Sequence, residues 1–286
     1  MGRFSSMFSG LARSFSIKKV KNNNGNSDAK EAADEMAKDA KKKEMILKSC
    51  GYVYAEGSNN SASVFSKRGE KGVNQDCAIV WEGFGCQEDM IFCGIFDGHG
   101  PWGHYVSKHV RNSMPSSLLC NWQKSLAQAT LLDPELDLED SNKKLSRFDI
   151  WKHSYLKTCA SVDQELEHHR KIDSYNSGTT ALTIVRQGEV IYISNVGDSR
   201  AVLATVSDEG SLIWDVISNQ EAIEIVSLTT ERPKAAKRLV EQAVRAWKKK
   251  KRGIAMDDMS VVCLFLHPSS SSSSLSQHVH HATSFK

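Results

Sequence analysis

The segment Met90-Ile91-Phe92-Cys93-Gly94-Ile95-Phe96 carries no charge and leads straight into Asp97-Gly98-His99-Gly100. A short apolar run closed by a glycine-rich turn predicts a buried strand. An aspartate at the end of such a strand can offer oxygen to a hard cation. The glycine after it lets the backbone approach the same ion. The histidine beside it can give or take a proton near neutral pH. Cation ligand, close backbone and proton donor are the parts that metal-assisted hydrolysis needs. The same residues also suit a plain strand-to-helix turn, because Asp and Gly favour turns.

The surrounding 286 residues allow one large domain or two small ones. A formal charge of +3 sets no strong partner preference, and no apolar stretch approaches the length of a membrane span. The N-terminus lacks the continuous apolar core of a secretory leader. Seven scattered cysteines without a C-x-x-C spacing predict reduced thiols and an intracellular protein, in cytoplasm or nucleus.

Three regions follow from composition. Residues 1–50 read as a mobile Ser-, Asn- and Lys-rich start followed by a solvated helix over 28–47. Met1-Gly2-x-x-x-Ser6 fits an N-myristoylation pattern, and Lys18, Lys19 and Lys21 would add an electrostatic membrane signal. Arg3 counts against it, so peripheral membrane attachment and a plain start both stay open. Residues 51–267 carry the globular pattern, and 268–286 form a Ser/His-rich tail expected to be disordered.

Within the globular part, strands are expected at Val64–Phe65, Ala78–Trp81 and Ala201–Val206, with a last strand over Ser260–Leu266. Thr180–Arg186 and Val190–Asn195 predict a hairpin about Gln187-Gly188. Helices are expected over Gly103–Leu118 and Phe148–His169. Ser218-Asn219-Gln220-Glu221 is a capping box, and a longer helix from Thr230 shows Ala235, Leu239, Ala243 and Trp247 on one face. The run Lys248–Arg252 reads as a solvated last turn that complements the helix dipole, with a nuclear signal as the alternative.

Three further acidic turns accompany the first: Asn74-Gln75-Asp76, Gly197-Asp198-Ser199-Arg200 and Met256-Asp257-Asp258-Met259-Ser260. Carboxylates at several strand ends can converge on hard divalent ions. With these motifs, and with Lys71-Gly72-Val73, Ser177-Gly178-Thr179-Thr180-Ala181 and Trp214-Asp215, the chain resembles the metal-dependent protein phosphatases of type 2C, in wording a plant member. The resemblance runs from about Ser61 to Leu266. It implies an α+β fold, a four-layer α-β-β-α sandwich of two antiparallel sheets flanked by helices. It also implies hydrolysis of phosphoserine and phosphothreonine with two Mn²⁺ or Mg²⁺ ions.

Carried over onto this sequence, the resemblance has Asp97 bridge the ions, Gly98 offer its carbonyl, and Asp76 and Asp257 hold metal, with Asp215 a lesser metal position. His99 is the implied acid for the leaving oxygen. Lys71 stands where relatives place a phosphate-binding arginine, a point charge in place of a bidentate fork. Asp198 is read as holding a turn. Partners would be phosphorylated proteins, bound by a monomer. No aromatic-interleaved basic strip points to nucleic acid.

The resemblance breaks after Asp198. Members of the family carry a long stretch and a D-G-x-W-D motif there, whereas Asp215 follows Asp198 by only 17 residues, and Ser211 and Leu212 replace the motif's Asp and Gly. A central segment missing at about 212–213 would leave the sandwich incomplete, with unpaired strand edges. The chain is therefore read as a phosphatase of doubtful full activity. The alternative is a catalytically impaired, non-catalytic phosphoprotein-binding or decoy module.

Overall fold

A computed structural model describes residues 51–59, 61–132, 144–204, 216–266 and 284–285. Its layering follows from strict alternation along two strands, β4 (Asp76–Glu82) and β5 (Met90–His99). They pair antiparallel, from Asp76 opposite Asp97 to Glu82 opposite Ile91. Cys77, Ile79, Trp81, Met90, Phe92 and Phe96 belong to one core; Ala78, Val80, Ile91 and Cys93 belong to another. Successive side chains of a strand point to opposite faces, so a strand apolar at every position needs a packed layer on each side. Gly94 is required by this packing: the Phe96 ring lies over it, and a Cβ there would stand 2.8 Å from that ring.

These strands form the centre of the larger sheet. Its order is β1 (Tyr52–Tyr54), β4, β5, β7 (Ala181–Gln187), β8 (Val190–Val196) and β10 (Ser284–Phe285), with β6 (Gly178–Thr179) against the end of β5. All pairings are antiparallel except β8 with β10. The second sheet contains β2 (Gly57–Ser58), β3 (Ala62–Lys67) and β9 (Met259–Leu264), also antiparallel. Tyr54, Ala62, Val64, Ala78, Val80, Ile91 and Cys93 fill the space between the sheets.

Two helices, α1 (Gly103–Leu132) and α2 (Lys144–Glu167), cover the outer face of the larger sheet. Trp151, 1% exposed, stacks on Trp122 with ring centroids 5.1 Å apart and meets Tyr192 of β8 at 5.4 Å. Two more, α3 (Asn219–Ser227) and α4 (Ala235–Lys250), cover the smaller sheet. The capping box at Ser218 and Glu221 is present in both directions. The result is the expected α-β-β-α sandwich. β9 has no partner on its second edge among the described residues.

Several expectations change. Helix α1 does not stop at Leu118, because Leu118, Trp122, Leu126 and Ala129 continue its buried stripe into the core. Helix α4 starts at Ala235, after a 3₁₀ turn at Arg232–Lys234 in which Pro233 sits at the entry. Ala201–Ala204 is exposed and irregular, since β propensity alone makes no strand without a neighbour. Cys86 is disulfide-bonded, against the expectation of reduced thiols throughout; Cys77, Cys93, Cys120, Cys159 and Cys263 are free. Ser284–Phe285 pairs with Asn195–Val196 within the tail expected to be disordered. The helix expected over 28–47, the N-terminal acylation pattern and the histidines of the tail lie outside the described residues.

The Trp151 stack makes a direct test of the helix-to-sheet layer. Trp151→Ala should destabilise the chain by about 3–5 kcal/mol in denaturant unfolding, whereas Leu156→Ala, at a side chain 51% exposed on the same helix, should shift it by less than about 0.5 kcal/mol.

Candidate functional site

The register of β4 on β5 sets Asp76 directly opposite Asp97. Asp76 accepts a hydrogen bond from Ser260 Oγ of β9 at 2.7 Å. Ser66 Oγ lies 2.8 Å from the same hydroxyl and accepts from Asn74 Nδ2 at 2.9 Å. The Asn74 side chain also accepts from the Asp76 N–H at 3.0 Å, closing the turn before β4. Burial pushes the Asp76 carboxyl up to about 7; the Ser260 bond opposes this, and the charges of Asp97 and Asp258 add to it.

Asp97 is raised too, first by burial and next by the negative charge of Asp198, then by Asp257; its hydrogen bond with Asp76 acts in the opposite sense. The two carboxyls face each other across the β4–β5 register and titrate as a pair, each raised by burial. The Asp97 backbone is fixed from behind. Its N–H donates to Thr180 Oγ1 at 3.0 Å, its carbonyl accepts from Thr180 N–H at 2.8 Å, and Thr180 Oγ1 is 2.9 Å from Ser199 Oγ. The Ser177–Ala181 and Gly197–Arg200 motifs thus shape the floor under Asp97. Asp198 does more than hold a turn, because its charge acts on the site. Its turn follows β8, two strands from β5, an order that the sheet and not the local sequence sets.

The last acidic turn performs two tasks. Asp258 accepts from Gly69 N–H and Gln75 N–H, one per carboxylate oxygen, both at 2.8 Å. Glu70 N–H donates to Met256 O at 2.7 Å, and Met256 N–H to Glu70 Oε2 at 3.2 Å. These bonds strap the loop before β4 onto the turn before β9. A Cβ on Gly69 would stand 2.3 Å from Met256 O, so the strap leaves room for glycine alone. Asp257 stays exposed and pairs with Lys71, whose Nζ is 2.5 Å from its carboxylate. That bond raises the Lys71 pKa.

Gly98 is pressed between Gln75 and Gly103, with a Cβ only 2.4 Å from Gly103 O. His99 pairs with Gly178, and its ring covers that glycine. The structure therefore gathers Lys71, Asp76, Asp97, Gly98, His99 and Asp257 at one end of both sheets. Asp215 lies outside the described residues.

The donor set is all oxygen, with Asp76 half-buried and Asp97 and Asp257 open to solvent, and suits a hard divalent cation. Among the described residues no group of three or more His, Cys, Asp or Glu is gathered tightly enough to enclose an ion alone. An ion held by few carboxylates and completed by water is the usual arrangement for Mg²⁺.

The sequence profile described as Protein phosphatase 2C matches residues 59–212. A relative from Arabidopsis thaliana named probable protein phosphatase 2C 73 is 66% identical, with all of both chains covered. That alignment spans 375 positions although this chain has 286 residues, so the relative carries a stretch without counterpart here. Probable protein phosphatase 2C 34 of the same plant is 58% identical, covering 96% of this chain and all of the relative. Among solved structures, a serine-threonine phosphatase 2C from Toxoplasma gondii shares the fold at a TM-score of 0.57 and 14% identity, over 74% of this chain and 97% of that one.

The raised Asp76 carboxyl gives a pH test on the metal-free chain. Its folded pKa lies above the unfolded value, so its stabilising share is complete at acid pH and is lost as pH rises through about 7. Asp76→Asn should therefore leave the metal-free melting temperature nearly unchanged only below about pH 4, and raise it progressively as pH climbs to about 8. Thermal melts of both proteins across that range would measure the difference.

Proposed function

The chain belongs to the protein phosphatase 2C family, and from that premise we propose that it acts on phosphoserine and phosphothreonine in proteins at a centre for two Mn²⁺ or Mg²⁺ ions. The observation that carries this reading is the acidic end of β4 and β5, where the register sets Asp76 opposite Asp97, near the charges of Asp198 and Asp257.

Asp76, Asp97, Asp257 and the Gly98 carbonyl would hold the ions, with Asp215 as a lesser ligand. Ions bound there supply a water acidic enough to attack phosphorus and balance charge on the phosphoryl group. The protein's own residues do the rest. Asp76 would have to be ionised to hold an ion, so ion binding would oppose the upward push of burial on its carboxyl. Lys71 lies beside Asp257, where its ammonium can meet a phosphate oxygen as a point charge. His99, at the exposed end of β5, would protonate the departing serine or threonine oxygen. Thr180 and Ser199 keep the Asp97 backbone in position.

A second reading has its own support. The relative's longer alignment, the family match ending at residue 212, the irregular Ala201–Ala204 and the unpaired edge of β9 together favour a chain with impaired turnover. On that reading it binds phosphoproteins without releasing phosphate. A monomer inside the cell, whose N-terminus is either a peripheral membrane anchor or a plain start, completes the proposal. No helix among the described residues is long and apolar enough to cross a membrane.

Purified chain should hydrolyse a phosphothreonine peptide only with Mn²⁺, and Asp97→Ala should bring turnover to background. Equal turnover by Asp97→Ala would sink the assignment. Folded protein that takes up Mn²⁺ and binds the peptide without turnover would establish the second reading. Where turnover is present, Lys71→Ala should raise KM about tenfold, the loss of one charge-assisted phosphate contact, and leave Mn²⁺ uptake intact.

A further inference from the structure

Helix α4 concentrates the positive charge of the molecule. Between Ala235 and Arg252 eight lysines and arginines stand against one acid, Glu241, while the whole chain totals only +3. This stretch is +7, eight minus one, so the remainder of the chain is net negative. At 3.6 residues per turn the charges fall on one side. Ala235, Ala236, Leu239, Val240 and Trp247 are buried against the smaller sheet, and Lys237, Arg238, Arg245, Lys248 and Lys249 are exposed.

The orientation of α4 brings its basic end to the site. Ala235 and Ala236 pack near Cys263, late in β9, whereas Trp247 packs with Met256 and Met259, at its start. The helix therefore runs antiparallel to β9, and its C-terminus lies at the level of Asp257. Trp247 Nε1 donates to Ile254 O at 3.0 Å and Lys250 Nζ to Val216 O at 2.6 Å, fixing the last turn. Lys251 lies over the Trp247 ring at 5.9 Å. Arg245, Lys248, Lys249 and Arg252 are exposed and have no ion pair among the described residues.

We propose that this basic end of α4 is a docking surface for acidic or multiply phosphorylated segments of the substrate protein, flanking the phosphoresidue presented to Lys71. The proposal rests on the phosphatase reading for its orientation. Arginine favours it, because the guanidinium fork matches carboxylate and phosphate in pairs. A helix that lies on a membrane needs an exposed apolar face, and the apolar face of α4 is buried in the protein. Interleaved exposed aromatics, which would serve stacked bases, are absent from α4, where Trp247 is buried.

The test is binding of fluorescent peptides to the full chain with Mn²⁺ present, followed by anisotropy. The central residue is a non-hydrolysable phosphonate analogue of phosphothreonine, flanked by acidic or by neutral residues; a third peptide has acidic flanks and plain threonine. The acidic phosphonate peptide should bind about tenfold tighter than the neutral one, and added salt should narrow the gap. Arg245→Gln/Lys249→Gln/Arg252→Gln should abolish the gap while melting temperature and calorimetric Mn²⁺ uptake stay unchanged; Lys249→Gln alone should reduce it in part. Equal binding of acidic and neutral peptides by the unaltered chain would overturn the proposal, as would a gap that survives the triple substitution. Binding to phosphatidylserine vesicles that acidic peptide fails to displace and the triple substitution abolishes would assign the surface to membranes instead. Acidic threonine peptide binding as tightly as its phosphonate form, without Mn²⁺ uptake, would sustain the docking surface and remove the phosphatase reading.

Discussion

The antiparallel register of β4 on β5 is the constraint on which the rest depends. Six residues of these two strands face the helices and four face the other sheet. A slip of one residue would exchange those faces and place every core side chain in the wrong layer. The same register puts Asp76 opposite Asp97. The packing that specifies the sandwich therefore also specifies the spacing of its two central carboxylates. The cost of holding them is visible in both pKa shifts, and burial is the first cause of each.

Two sheets are needed because the site is shared. β5 supplies Asp97 and His99 from the larger sheet, and the turn before β9 supplies Asp257 from the smaller one. The two are joined by Asp258, whose carboxylate is spent on the Gly69 and Gln75 N–H groups. Adjacent aspartates thus have separate tasks: Asp258 positions the loop that carries Lys71, and Asp257 stays exposed and pairs with Lys71 itself.

Alternation and turn chemistry made the central strands, the Gln187-Gly188 hairpin and the capping box legible in the sequence. The candidate residues Asp76, Asp97, Gly98, His99 and Asp257 were singled out through their motifs, and the structure brings them to one end of the sheets. Less was legible where tertiary contacts decide. The electrostatic part of Asp198 depends on the order β5-β7-β8, which no local pattern states. The clamp made by Asp258 depends on backbone donors 183 and 189 residues away. Ala201–Ala204 has strand-forming residues but no neighbour, and Leu118 lacks the breaker that would have ended α1 there.

The stretch by which the Arabidopsis relative exceeds this chain bears differently on fold and on chemistry. The larger sheet, its two covering helices and the space between the sheets draw their buried residues almost wholly from 53–192. Asp257 arrives through β9, which is held by six consecutive pairings with β3, from Ala62 opposite Leu264 to Lys67 opposite Met259. That pairing joins the two ends of the described chain without help from anything between β8 and α3. The open edge of β9 leaves backbone groups to water, which costs little at a surface. For the proposed metal centre, a carboxylate absent with that stretch would have no such substitute, because a ligand is replaced only by another donor at the same place. On that proposal the difference would weigh more heavily on ion retention and turnover than on folding, which makes Mn²⁺ uptake and hydrolysis separate measurements.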